Sequence, residues 1–135
     1  MSGFFGGAIA ASRLTGLTAV FESILSEGGG VLTTGIKTDL RVPFACTITK
    51  VSLFADVAGS IVLDFWVDTY ANYPPTVTDT ITASAKPTLS AVNKNEDSTL
   101  TGWIKPIAAG SLLRINVDSV ATVTRVLVVI EVTRT

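Results

Sequence analysis

Histidine is absent from the 135 residues, and cysteine occurs once, at Cys46. A single thiol cannot close an internal disulfide, and without histidine the usual Cys/His zinc arrangements are excluded. The same lack removes the ordinary base from any Ser or Cys nucleophile. Charge is scarce too, at 16% of residues against about 25% in an average soluble domain. Ten basic residues face eleven acidic ones and are scattered from Arg13 to Arg134, so there is no cationic stripe to bind nucleic acid. No stretch approaches the roughly 18 unbroken apolar residues of a membrane helix, and membrane insertion is not expected. The opening Met-Ser-Gly-Phe-Phe-Gly-Gly-Ala-Ile-Ala has no Lys or Arg ahead of its apolar part, so an export signal is not expected either. Gly28-Gly29-Gly30 leads into Val31-Leu32-Thr33 and lacks the helix and Lys-Ser/Thr pair of a phosphate loop. Asn93-Lys94-Asn95-Glu96-Asp97 lacks the central glycine of a calcium loop. No cofactor or metal is expected.

What is present divides at the three glycines, where regular structure is costly and a hinge is easy. Upstream, Leu14, Leu17, Phe21, Ile24 and Leu25 recur at steps of three and four behind a possible cap at Ser12. That stripe predicts a short amphipathic helix or extended arm over residues 1–30. It either packs on its own domain or anchors the chain to another subunit. Downstream, β-branched residues, period-two alternation and regular turn residues predict strands near 32–41, 45–57, 60–69, 77–82, 87–91, 98–104, 111–118 and 122–134. About eight strands without helices imply an all-β fold over 31–135: an antiparallel β-sandwich of jelly-roll-like form.

Within this region Gly59 to Thr82 resembles a β-sandwich module of tailed-phage virion proteins, of the tail-fibre, head-fibre or decoration type. The segment runs Ile61-Val62-Leu63-Asp64-Phe65-Trp66, then Asp68-Thr69-Tyr70-Ala71-Asn72-Tyr73-Pro74-Pro75-Thr76-Val77. Lys86-Pro87-Thr88-Leu89-Ser90, Leu100-Thr101-Gly102-Trp103 and Val117 to Val126 carry the same resemblance. It covers about residues 31–135 and brings no catalytic residues with it. It implies a structural component of the virion surface, on head or tail, that assembles with copies of itself, as a trimer by preference, and with capsid or tail proteins.

The residues offer three surfaces for such roles. In strand 60–69, Ile61, Leu63, Phe65 and Val67 alternate with Val62, Asp64, Trp66 and Asp68. One set is core. The other places Trp66 between two carboxylates, and with Tyr70 and Tyr73 it could stack a host-surface glycan or meet another subunit. Alternatively, Trp66 lies over a loop of its own domain. Asp64 and Asp68 lie roughly 13 Å apart along a strand, too far for the about 5–9.5 Å of a glycosidase pair, so hydrolysis is not expected. The final strand, Val126-Leu127-Val128-Val129-Ile130-Glu131-Val132, is apolar on both faces, and Leu112 adds an outward apolar side chain. Leu112, Val126, Val128 and Ile130 are thus the expected contact with another copy. A receptor- or glycan-binding tip is the alternative reading of the whole module.

Overall fold

The computed structural model describes residues 15–135. These form seven strands and no α-helix: β1 (Thr18–Ser26), β2 (Gly35–Val42), β3 (Cys46–Asp68), β4 (Thr88–Asp97), β5 (Pro106–Ile107), β6 (Ser111–Ala121) and β7 (Arg125–Arg134). A single 3-10 turn spans Val77–Asp79. Every pairing is antiparallel, in the order β1-β7-β3-β6-β2, with β4 and β5 also on β3. The chain is therefore all-β and antiparallel, a curled sheet of sandwich type.

The fold turns on β3, whose 23 residues were expected as two strands joined by a tight turn at Ala58-Gly59-Ser60. Instead the strand continues through that point. Its first half, residues 46–55, pairs with β7, and its second, residues 60–68, pairs with β6. Gly59 is needed for close approach rather than for a turn. A Cβ there would stand 2.8 Å from Val123 Cγ2 and 2.9 Å from the Ala121 carbonyl oxygen. The bend wraps the two halves around one core. Into it point Val51 and Leu53 from the first half, Ile61, Leu63 and Phe65 from the second, and Leu113, Ile115 and Val117 from β6. Trp103 meets the Phe65 ring edge-on, with centroids 5.8 Å apart, and donates its indole N–H to the Ala85 carbonyl at 2.7 Å. Cys46 is a buried thiol, and burial pushes its pKa up, against the partial opposition of Arg134.

Three sequence expectations need correction. Residues 18–26 are strand, not helix: Ala19, Phe21, Ser23 and Leu25 turn inward, while Val20, Glu22 and Ile24 turn out. The three-and-four spacing is overridden because the edge of β7 turned away from β3 needs a partner, and β1 supplies one from Thr18 opposite Thr133 to Ser26 opposite Arg125. Gly28 and Gly29 have positive φ in the connection that follows. Across that connection the Glu27 carboxylate accepts from the Thr33 backbone N–H at 2.7 Å and from Lys37 Nζ at 2.9 Å. The Lys37 bond, then the Thr33 bonds, hold its pKa down at about 2. The expected strand 77–82 is a 3-10 turn and loop, and 98–104 is a turn leading into the two residues of β5. In both, Asp and Thr side chains and short turns satisfy several backbone N–H groups locally: Asp79 for Thr76, Thr80 for Thr82, and Asp97 for Thr99 and Leu100.

Candidate functional site

The two halves of β3 carry different outer faces, and the register shows why. In the second half, pairing sets Asp68 beside Leu112 and Arg41, Trp66 beside Arg114 and Asp39, and Asp64 beside Asn116 and Ile36. This polar face is partly roofed by the chain that follows β3. That segment is tied down by the Ile81 N–H to the Phe65 carbonyl, at 2.9 Å, and by a bridge between Trp66 and Thr80.

Under this roof Asp64 is 1% exposed and Trp66 8% exposed. Asp64 accepts from Thr80 Oγ1 at 2.6 Å and Thr82 Oγ1 at 2.7 Å, with Lys86 Nζ at 3.6 Å. Lys86 donates in turn to Asp118 at 2.6 Å, and Asp118 also receives Asn116 Nδ2 at 2.7 Å. Burial alone would raise the Asp64 pKa, but the two hydroxyls, the nearby Trp66 indole and Lys86 together bring it below the ordinary value. The Trp66 indole N–H is itself buried without a partner in good hydrogen-bond geometry. Of the two readings of Trp66, cover by its own domain holds, because the roofing loop carries the threonines that a buried Asp64 requires. Asp68 is a turn residue, accepting from the Thr69 N–H at 2.7 Å and Asn72 Nδ2 at 3.3 Å.

Because the folded Asp64 pKa lies below its reference of 3.8, its contribution is present above that pH and lost as pH falls through the folded value. Asp64→Asn should cost about 2–3 kcal/mol near neutral pH, the worth of hydrogen bonds to a buried charge. Melting curves should show the variant and parent converging as the pH is taken well below 3.8. A gap that stays constant into acid would show that the carboxylate charge contributes nothing.

Beyond the roof the same face opens into a cleft of about 220 Å³ lined by Asp39, Arg41, Tyr70, Tyr73 and Leu112. Arg114 holds Asp39 with two bonds, Nε at 2.8 Å and Nη2 at 3.0 Å, and Tyr73 donates its hydroxyl to Asp39 at 2.6 Å. The Arg114 bonds first, against some burial, and then Tyr73 keep the Asp39 pKa low. Arg41 lies over the Tyr70 ring at 5.3 Å and Arg114 over Tyr73 at 5.5 Å. Tyr70 and Tyr73 are thus brought together with Leu112, while Asp64 and Trp66 are buried apart from them. Asp39, Arg41 and Arg114 were not singled out from the sequence. The available signal was Arg114 in the same outward alternation as Leu112 and Asn116.

The expected oligomer contact also divides. Val126, Val128 and Ile130 point into the chain's own core and are fully buried, and only Leu112 is outward. The outward residues of β7 are Leu127, Val129 and Glu131. Of the expected anchor residues, Leu25 is buried in the core and Phe21 packs against it, whereas Leu17 and Ile24 are exposed. Leu14 lies outside the described residues.

Among the described residues, no group of three His, Cys, Asp or Glu side chains could hold a metal, and no helix is long and apolar enough to cross a membrane. No family model and no curated protein matches the chain. A solved structure of infectious bursal disease virus, Gx strain, aligns with 99% of this chain and 44% of the viral chain. The identity is 12% and the TM-score 0.29, a likeness that carries no argument.

Proposed function

We propose that this protein is a non-enzymatic structural component of a bacteriophage virion surface, on head or tail. In this reading it assembles with copies of itself, as a trimer by preference, and with other virion proteins. The resemblance of residues 59–82, 86–90, 100–103 and 117–126 to virion β-sandwich modules supports the virion setting. The observation that carries self-assembly is the outer face of the first half of β3. There the register aligns Ile24, Leu127 and Phe54 across three adjacent strands, with Val20 and Val129 beside them. Ile24 is 53% exposed, Val20 47% and Phe54 40%, and no described segment roofs them as the 69–87 loop roofs the other half. Glu22 stands inside this patch opposite Val129, while Glu131 opposite Val20 and Lys94 opposite Phe54 border it, a mixed apolar and charged surface of the kind that protein contacts use.

The contact therefore moves from the inward side chains of β7 to its outward ones. Ile24→Lys and Leu127→Glu leave the core untouched and should shift gel-filtration elution to the monomer position, with melting changed by no more than the lost association. An unchanged elution volume for both variants would overturn this face as the contact.

A further inference from the structure

We propose that the cleft beside Tyr70 and Tyr73 binds a single carboxylate-bearing sugar ring, its apolar face on the tyrosines and its carboxylate on Arg41. The inference stands apart from the self-assembly contact, which lies on the other outer face.

Three observations carry it. Tyr70 is 72% exposed and Tyr73 48% exposed, yet neither ring is loose, since each has a guanidinium stacked on it. The turn bearing them is fixed by the Asn72 N–H to the Thr69 carbonyl and the Tyr73 N–H to the Tyr70 carbonyl, both 3.2 Å. Aromatic surface held in place before a ligand arrives lowers the ordering cost of binding. The cleft, at about 220 Å³, is smaller than the roughly 300–1,000 Å³ of drug-sized sites and suits one ring.

The charges then select the ligand. Arg114 and Asp39 neutralise each other, but Arg41 donates only its Nε, to the Gly110 carbonyl at 2.8 Å. Among the described residues its terminal nitrogens have no acceptor, and it forms no ion pair. They present the planar fork that matches a carboxylate. Asp39 accepts three bonds out of about four that a carboxylate can take, leaving room for one sugar hydroxyl. With Asp39 already paired to Arg114, Arg41 supplies one uncompensated positive charge, which balances a carboxylate but only half of a phosphate dianion. A sugar acid supplies what the cleft asks for: an apolar ring face, hydroxyl donors and one carboxylate.

The test is saturation-transfer NMR on the full chain, a method suited to weak ligands and applicable to an assembly as well as to a monomer. The probes are glucuronic acid, N-acetylneuraminic acid, glucose and uridine monophosphate. At least one acid should receive saturation at its ring protons, with a dissociation constant on the order of 1 mM, and glucose should bind at least tenfold more weakly. Arg41→Gln should abolish the preference for acid over glucose. Tyr70→Ala, an exposed change whose melting curve should match the parent, should weaken the acid about tenfold. Added salt should weaken it as well. Saturation of neither acid, equal saturation of glucose, or stronger saturation of the nucleotide would each overturn the proposal. So would acid binding that survives both substitutions.

Discussion

Deletion of residues 1–30 should unfold the domain or leave it aggregated. Removing β1 strips one of the two edges of β7 of its pairing, from Thr133 to Arg125, and leaves that edge open while the other stays on β3. It also removes Leu25 from the core and Phe21 from its place beside the Phe44 ring, 5.7 Å between centroids. Losing one buried leucine costs about 2–5 kcal/mol, against a total stability of about 5–15 kcal/mol for most domains. The lost strand pairing comes on top. Circular dichroism of residues 31–135 should show no cooperative thermal transition. A transition within a few degrees of the full chain would mean that β1 is an appended arm after all.

Trp66→Ala should destabilise the chain about as much as Phe65→Ala, each by about 3–5 kcal/mol. The two side chains point to opposite faces of β3, yet both are buried, Phe65 by the core and Trp66 by the returning loop. Truncating Trp66 also loosens the lid over Asp64, whose bonds to Thr80 and Thr82 depend on that loop staying closed. Urea unfolding midpoints of the two variants should fall together. If the Trp66 variant keeps the parent midpoint, the indole is a free outward surface and the loop does not cover it.

How far the sequence reveals this fold depends on which force decides each segment. Strand alternation in 60–69 and 111–118 is local and strong, so the inward positions of Ile61, Leu63, Phe65, Leu113, Ile115 and Val117 can be read from the residues alone. The course of 18–26 is not local. Its spacing fits a helix, and only the edge of β7 that β3 leaves open, a hundred residues away, makes it a strand. The apolar pattern of β7 leads one to expect cover on both faces, but alternation does not say which set faces inward. The core took Val126, Val128 and Ile130 and left Leu127 and Val129 outside. The candidate cleft was half visible: Tyr70 and Tyr73 stand out as aromatics in a turn. Asp39 and Arg114 lie 75 positions apart and meet only through the pairing of β2 with β6. Trp66 misleads for the same reason, since its cover comes from a loop whose path no periodicity records.

Self-assembly through the outer face of β1, β7 and β3 is most directly tested by the mass of the unmodified full chain in solution, measured by light scattering across a range of concentrations. The expected result is a fixed multiple of the 14.1 kDa chain, with three copies preferred. A mass of 14.1 kDa that persists at every concentration would contradict it.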